Sequence, residues 1–510
     1  MKHGKQGDPP MIFGGYFTGT EGPGRILEFN DVAWRVEQAE QDPANPLLKP
    51  KFPWDNSAVC MGHGTVLKDP IDNRFKAWLV SLESGNACNE PFKYRLTHAS
   101  SDDGVNWERP ALDMCPWPGY DGTNIIFDFD SGGPSSYGSV HIDQSANSDE
   151  PYEMFCFRRP GTFGKSTCVG GFPDNPAGAG LYRYRSADGL HWRGVEGPLD
   201  FATGDTCHIH KAKDGDGYVA HHKGGGFTIR PAIGSGIPND YAINQGIRIA
   251  QRRTSPDGSR WSETIPIMTA DWQDAPGDQI MELGYHPYGD GIIGIAAIYH
   301  AMTQRLDLQF AASIDGLRWW RPEPRQACLP SPPLGDYGSG LIWPSRTLVE
   351  DDDRLYLYYG GMQNLHGDFY ARAPTEYFDA GGFCRASWEK GRMWAALPSA
   401  GGNTGGSMVI FPAAVAGKEL YLNARTFGDG EIRAELLDAS EEYWPESLQR
   451  TQRVPHRTVP GFSQADSIPF TGDEKFGRLA WGDRDLSKLA QPVCLKLYLR
   501  RAWLYGFEWA

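Results

Sequence analysis

A seven-residue pattern, S-x-D-G-x-x-W, occurs four times in the sequence and constrains the fold more than any other feature. The copies are Ser101–Trp107, Ser186–Trp192, Ser255–Trp261 and Ser313–Trp319. A pattern with four fixed positions would arise by chance well under about once in such a chain, so four copies indicate a structural repeat. In each copy, Asp-Gly favours a tight turn with a positive φ, the serine and aspartate can bond backbone amides, and the tryptophan anchors the next strand.

Each copy follows a segment with the residue types of a strand, and another pair of such segments lies upstream. The segments directly before the copies are Tyr94–His98, Leu181–Arg185, Ile247–Gln251 and Leu306–Ala311. The upstream pairs begin at Gly64, Ser139, Cys207, Leu283 and Leu341, which makes five units, the fifth without the pattern. Two hairpins per unit give four antiparallel strands, as in a propeller blade. The sequence therefore predicts a five-bladed β-propeller over residues 51–391.

Beyond the propeller, the sequence predicts a second domain and a lead-in. Alternating apolar and polar residues in Glu419–Asn423, Ile432–Leu437 and Val493–Leu499 are typical of strands with one buried face. Together with further such segments they predict a C-terminal β-sandwich over residues 392–510. Residues 1–50 form a Gly/Pro-rich lead-in for which no element is predicted. The fold class is all-β.

Charge and composition exclude some partners. The net charge of −15 disfavours nucleic acid and anionic membranes, since both would repel the protein. No run approaches about 18 apolar residues, and the N-terminal residues lack the apolar segment of a secretory signal. We expect a cytoplasmic protein, or a secreted one whose signal was removed. The nine cysteines are scattered and form no C-x-x-C pair, which favours reduced, buried thiols.

Five blades followed by a sandwich resemble the invertase/levanase-type fructosidases, and the propeller alone resembles the arabinanase and β-xylosidase families. The resemblance is to a superfamily of five-bladed β-propeller glycoside hydrolases. It implies cleavage of a glycosidic bond, such as that of a fructosyl or arabinosyl furanoside, by three acidic residues at the propeller funnel. The invertase motifs N-D-P-N-G, R-D-P and E-C are absent. The expected partner is a carbohydrate, and no cofactor is expected.

Propeller geometry selects which acids face the funnel. Inner strands run away from the substrate face and second strands return to it, so functional groups should precede a first strand or follow a second one. Asp55, Asp205 and Glu282 precede the first strands of three blades. Glycoside hydrolysis needs a proton-donating carboxyl and a second carboxylate. Glu282 has apolar neighbours and is interpreted as the acid, Asp55 as nucleophile or base, and Asp205 as the residue that holds sugar hydroxyls and stabilises positive charge.

Other residues at the same kind of position are expected to bind the substrate. They are Trp54, His63, Glu83, Arg159, His208, His222, Asp336, Trp343 and His366. A single acid before a strand is more often a turn former, however, and a tryptophan at a blade edge more often packs inside. Histidines on the inner strands could also surround a metal, but their spacing matches no ligand motif, so no metal is expected.

Three other functions remain open. A non-catalytic sugar-binding propeller would keep the aromatic funnel and could lose one acid. A sialidase would need an arginine triad, for which Arg158 and Arg159 offer one local pair. A lyase or phosphorylase could use a similar propeller, and the phosphorylase would need a basic phosphate pocket, which Arg159, His222 and Lys223 could form.

Overall fold

The fold is described from a computed structural model of the 510-residue chain. The described residues are 8–13, 26–55, 58–60, 62, 64–83, 93–130, 138–143, 148–158, 180–199, 206–227, 247–366, 380–399, 405–449 and 451–510. Within these ranges the structure is almost entirely β. The helical segments there are short, namely α1 (Glu446–Gln449) and a 3-10 turn (Leu486–Lys488).

The first strands of the chain precede the propeller. They are β1 (Ile26–Asn30), β2 (Val32–Val36) and β3 (Glu40–Gln41). Blade 1 contains β4 (Thr65–Lys68), β5 (Phe75–Glu83), β6 (Lys93–Ser101), β7 (Trp107–Glu108) and β8 (Ile125–Asp130). Blade 2 contains β9 (Ser139–Ile142), β10 (Tyr152–Arg158), β11 (Gly180–Ser186) and β12 (Arg193–Leu199). Blade 3 contains β13 (Cys207–Lys211), β14 (Tyr218–Phe227), β15 (Ile247–Ser255) and β16 (Ile265–Met268).

The last two blades have interrupted inner strands. Blade 4 contains β17 (Asp278–Leu283), β18 (His286–Tyr288), β19 (Gly291–His300) and β20 (Arg305–Ser313). Blade 5 contains β21 (Leu341–Pro344), β22 (Val349–Asp351), β23 (Arg354–Met362) and β24 (Gly381–Glu389). In blade 4 the fourth strand is reduced to two bridges, one joining Ala312 to Trp320 and one joining Leu308 to Leu329.

Within each blade the strands pair antiparallel in chain order from the axis outward. In blade 1, β7 and β8 share the outer edge of β6. In blade 5 the outermost strand is β3, which pairs with β24 and so comes from the N-terminal lead-in. Ala58 also bridges Leu82 of blade 1 and Gly381 of blade 5. The described strands therefore form a five-bladed β-propeller whose ring is closed by chain from before blade 1.

The S-x-D-G-x-x-W copies form the same turn in four blades. In the first copy, the Gly104 amide donates to Ser101 Oγ (2.9 Å), and the amides of Val105 and Asn106 donate to Asp103 Oδ1 (2.8 Å each). Gly104 has a φ of +73°, a conformation that favours glycine. The hydrogen bonds from these amides hold the pKa of Asp103 well below its usual range. The turn chemistry predicted from the sequence is confirmed.

These turns also join the blades. Trp78 on β5 donates from Nε1 to the Gly189 carbonyl of blade 2 (2.7 Å), and Tyr358 on β23 donates to the Gly104 carbonyl of blade 1 (3.0 Å). A Cβ at Gly258 of blade 3 would lie 2.9 Å from the Phe155 ring of blade 2. The turns of blades 1, 2 and 3 therefore each pack on the second strand of the preceding blade, which for blade 1 is blade 5.

The C-terminal domain is a β-sandwich. It contains β25 (Trp394–Pro398), β26 (Gly406–Ile410), β27 (Leu420–Asp438), β28 (Asp473–Leu479) and β29 (Val493–Trp509), and β1 and β2 pair with β26 and β25. The long strands β27 and β29 pair along their length, with a register shift between Thr426 and Glu431. Such a bend lets a strand pass from one layer to the other. The sandwich contacts the propeller through Trp394, whose ring lies 5.4 Å from that of Phe310.

Two further sequence expectations concern the whole chain. Six of the described cysteines are free and buried, but Cys115 is disulfide-bonded, so the expectation of reduced thiols is wrong for this residue. The described residues contain no helix long and apolar enough to span a bilayer.

Candidate active site on the propeller axis

The candidate site is centred on two inner strands. Glu282 lies on β17 of blade 4 and His208 on β13 of blade 3, and their Oε2 and Nε2 atoms are 2.8 Å apart. The Glu282 side chain is fully buried and that of His208 is 3% exposed. Because a hydrogen bond joins a carboxyl and an imidazole, one proton lies between the two groups. The site therefore joins a carboxyl and an imidazole by a buried hydrogen bond between two inner strands.

Glu282 lies deeper than the sequence suggested. The sequence placed it just before a strand that starts at Leu283, whereas β17 starts at Asp278 and includes Glu282. A register shift between Ile280 and Glu282 disturbs the pairing of β17 with β19. Such a bulge re-aims the side chains that follow it. The residue at the substrate-side end of this strand is thus Asp278 instead of Glu282.

Three further buried histidines lie on strands of blades 2 and 3. His141, His210 and His221 are all buried, and the rings of His208 and His210 lie 6.3 Å apart. Burial lowers the pKa of His221 to about 3 and holds the pKa of His141 and His210 well below the usual value. These three imidazoles are therefore neutral at pH 7. Within the described ranges, no group of three or more His, Cys, Asp or Glu side chains could hold a metal ion.

A buried arginine crosses the axis below the pair. Arg346 follows β21 of blade 5 and donates from Nη1 to the Ile209 carbonyl of blade 3 (2.7 Å) and from Nε to Thr65 Oγ1 of blade 1 (3.0 Å). It also donates from Nη2 to the Val140 carbonyl of blade 2. Since β13 runs from the substrate face, Ile209 is one residue farther from that face than His208. Burial lowers the pKa of Arg346 to about 9, so it remains charged at pH 7. The guanidinium therefore closes the channel beneath the pair.

A second titratable group lies at the substrate-side end of blade 4. His300, at the end of β19, has Nδ1 2.8 Å from Asp278 Oδ1 and Nε2 3.1 Å from Asp307 Oδ2. Burial alone would lower the pKa of His300, but the hydrogen bonds to these carboxylates outweigh it and raise the pKa to about 10. His300 is therefore an imidazolium at neutral pH, fixed between two carboxylates.

The structure places Asp55 and Trp54 in a packed loop. Asp55 is fully buried, and its Oδ2 accepts from the amides of Lys51 (2.9 Å) and Phe52 (3.0 Å) and pairs with Arg109 Nη1 at 2.6 Å. Trp54 is 1% exposed and stacks on Phe52, with the ring centroids 4.7 Å apart. These contacts lie beside the outer strands of blade 1, and they are typical of a carboxylate that fixes a loop.

The remaining predicted binding residues are dispersed. Trp343 is 3% exposed, and the His366 ring lies 4.9 Å from the Tyr299 ring. Burial lowers the pKa of His222 to about 4, and Asp336 is exposed in the connection before β21. The predicted residues that lie outside the described part are Asp205, His63, Arg159 and the side chain of Glu83. The structure thus joins Glu282 to His208 and places Asp55 in a different set of contacts.

Sequence reasoning missed Arg346, Asp278 and His300. Arg346 follows the inner strand of blade 5, in the stretch Trp-Pro-Ser-Arg, and nothing local distinguishes it from a surface arginine. The signal for Asp278 is the apolar pair Ile280 and Met281, which indicates a strand that begins before Leu283. His300 has two carboxylate partners, Asp278 and Asp307, which come from other strands and could not be paired with it from the sequence.

Comparison with known proteins gives solved structures only. No protein-family model matches the chain, and no curated protein matches it. Among solved structures, the chain is similar to a β-1,2-mannobiose phosphorylase from Listeria innocua, with 12% identity, a TM-score of 0.43, and coverage of 70% of this chain and 98% of that one.

Two further solved structures are similar to the same extent. A glycosyl hydrolase from Bacteroides ovatus has 13% identity and a TM-score of 0.41, over 70% of this chain and 96% of that one. An N-acetylgalactosamine deacetylase from F. plautii has 12% identity and a TM-score of 0.42, over 71% and 97%. At this degree of similarity, the reactions of those proteins cannot be assigned to this chain. The architecture described above rests on the strand pairing of this chain alone.

Proposed function

We propose that this chain is a carbohydrate-active enzyme that hydrolyses a glycosidic bond, with Glu282 as the proton donor. The observation that carries the proposal is the buried hydrogen bond between Glu282 and His208 on the propeller axis. Departure of the sugar oxygen in glycoside cleavage needs a positioned acid, because the transition state resembles an oxocarbenium ion. Glu282 gives its proton to the leaving oxygen, the attacking water supplies the proton that restores the acid, and His208 orients the carboxyl.

The second carboxylate in this proposal is Asp205. It precedes His208 by three positions in the sequence, so it belongs to the chain segment that enters β13. Asp55, which the sequence suggested as nucleophile or base, is already held by Arg109 and two backbone amides. Moving this carboxylate to a substrate would break its buried ion pair, and a buried charge left without its partner destabilises the protein strongly. We therefore assign Asp205 to the reaction and Asp55 to fixing the loop before blade 1.

Closure of the channel defines the side from which the substrate enters. Arg346 blocks the axis one residue beyond His208, so a sugar reaches Glu282 from the end at which the inner strands start. The connection between blades 3 and 4 (residues 269–277) lies at that end, and connections at such positions commonly carry binding residues. In this proposal, residues of the connections at this end select the sugar. They would determine the furanoside specificity that the resemblance to fructosidases and arabinanases implies.

One observation weighs against the phosphorylase alternative. A phosphate pocket needs cations, and His222 was one of the three residues suggested for it. Burial lowers the pKa of His222 to about 4, so its imidazole is neutral at pH 7. Hydrolysis, in which water takes the place of phosphate, therefore fits the described residues better.

The experiment measures release of reducing sugar from levan, arabinan, mannan and simple glycosides by the wild-type protein and by Glu282→Gln. We expect activity on at least one glycoside, and a loss of two to four orders of magnitude in the variant, as is typical for removal of a general acid. Glu153→Gln is the matched control, because Glu153 is equally buried but pairs with Arg183 and Arg185 in blade 2. Full activity of Glu282→Gln would show that the acid lies elsewhere, and strict dependence on added phosphate would favour the phosphorylase.

A further inference from the structure

Trp272 is the most exposed large apolar side chain in the described part of the chain, with 88% of its surface open to solvent. It lies in the connection from β16, at the outer edge of blade 3, to β17, the inner strand of blade 4. Connections between consecutive blades lie at the end where inner strands start, opposite the S-x-D-G-x-x-W turns. Trp272 therefore stands on the face from which the Glu282–His208 pair is reached.

The loop that carries Trp272 is braced on both sides of it. Asp274 pairs with Arg321 (Nη1–Oδ1 2.8 Å) and with Arg325 (Nη1–Oδ1 3.1 Å), and Asp271 pairs with Arg325 at 2.7 Å. Within the loop, the Asp271 amide donates to Asp274 Oδ2 (2.8 Å) and the Gln273 amide donates to Asp271 Oδ1 (2.9 Å). The residues flanking the tryptophan are thus tied to the outer part of blade 4.

One of these ion pairs, Asp274–Arg321, is buried and is therefore suited to fix the geometry of the loop. The side chains of Asp274 and Arg321 are 2% and 4% exposed. A buried ion pair seldom stabilises a fold more than apolar residues of the same volume would, and its attested use is to specify one arrangement. The loop is therefore held in one conformation while its tryptophan makes almost no contact with the rest of the protein.

Two other exposed apolar side chains lie in connections at the same end of blade 4. A single exposed apolar side chain on a protein surface needs no explanation. Here, however, Met302 (55% exposed) and Leu334 (76% exposed) lie in the two other connections of blade 4 at the same end of the propeller. Three exposed apolar side chains therefore lie in connections at the substrate-side end of one blade.

We infer that Trp272 is a stacking platform for a sugar unit remote from the cleaved bond, so that the substrate is an oligosaccharide or polysaccharide chain. The inference rests on the proposed function for the reaction and adds the length of the substrate. A pyranose or furanose ring presents an apolar C–H face, and a rigid indole offers a flat apolar surface with little entropy to lose. A position in the connection from the outer edge of blade 3 suits a sugar unit outside the one that contacts Glu282.

The experiment is affinity electrophoresis in gels that contain levan, arabinan or mannan. We expect at least one polymer to retard the wild-type protein and Trp272→Ala to bind it about tenfold more weakly, the effect of uncovering roughly 60 Å² of apolar ring surface. Phe476→Ala is the control, because Phe476 is an exposed aromatic (44%) on the sandwich strand β28 and should leave retardation unchanged. With an active substrate, the loss should appear as a higher KM for the polymer and be smaller for a monosaccharide glycoside.

Two results would overturn this inference. One is equal retardation of Trp272→Ala and wild type, or no retardation by any of the three polymers. The other is a wild-type dimer, seen by sedimentation, that Trp272→Ala converts to a monomer, because the tryptophan would then contact a second copy of the chain. Failure of the proposed function looks different, because the wild-type protein would then release no reducing sugar from any glycoside, whatever Trp272→Ala does to polymer binding.

Discussion

Replacement of His300 by Gln tests how the substrate-side end of blade 4 is held together. In the native chain the His300 imidazolium lies between Asp278 and Asp307, at 2.8 and 3.1 Å. Glutamine can keep a hydrogen bond but carries no charge, so the two carboxylates face each other without a cation. The variant should therefore unfold more easily, by an amount that depends on pH.

The pKa of His300 gives the size and the sign of the effect. The pKa rises from 6.5 to about 10 on folding, because the bonds to the two carboxylates outweigh burial. At about 1.4 kcal/mol per pKa unit this sets an upper bound of roughly 5 kcal/mol, and solvent screening of the 26% exposed side chain reduces it to the order of 2–3 kcal/mol. Because the folded pKa is raised, the stabilisation is complete below pH 6.5 and is lost as the pH rises to about 10.

The assay is urea unfolding of wild type and His300→Gln, followed by tryptophan fluorescence at several pH values between 6 and 10. The difference in unfolding free energy should fall steadily across this range and be close to zero at pH 10. His191→Gln is the control, since His191 pairs with Asp188 at a 66% exposed position, where ion pairs contribute little. A difference for His300→Gln that stays constant with pH would show that the ion pairs do not stabilise the fold.

Two further substitutions test the turns and the axis. Gly189→Ala should lower the unfolding free energy by about 2–4 kcal/mol, because Gly189 has a φ of +76° and its Cβ would lie 2.9 Å from the Trp78 ring. The control is Gly119→Ala, which has a φ of +83° in open space and should lower the unfolding free energy by only about 1 kcal/mol. Equal losses for the two variants in urea unfolding would contradict this account. Arg346→Met should destabilise the propeller by about 2–4 kcal/mol, since carbonyls on two blades lose their hydrogen-bond donor. A variant as stable as wild type in thermal unfolding would show that Arg346 does not stabilise the propeller.

The sequence predicts the propeller well because its information is local. The Asp-Gly turn needs only neighbouring residues, as the bonds of Ser101 and Asp103 to nearby amides show. Four such turns define four blades, and the fifth follows from its hairpins alone. The strand that completes blade 5 comes from Glu40–Gln41, two exposed residues with no strand pattern, so its pairing with β24 could not be predicted.

The site was harder to predict because it depends on contacts between blades. The partner of Glu282 is His208, 74 positions away, and the bulge after Ile280 sets the direction of the carboxylate. The sequence carries no mark of such a bulge. Asp55 shows the opposite case, since it precedes the first strand as expected but is bound by Arg109, which lies beyond the turn of blade 1. A position in the chain therefore identifies candidates, while the packing between blades decides among them.

The most direct test of the central claim is the dependence of Glu282→Gln on the leaving group. A poor leaving group such as an alkyl alcohol needs a proton from Glu282, whereas a dinitrophenolate leaves without one. We expect kcat/KM of the variant to fall by two to four orders of magnitude for alkyl glycosides and by less than about tenfold for the dinitrophenyl glycoside of the same sugar. Equal losses for both substrates would contradict the assignment of Glu282 as the proton donor.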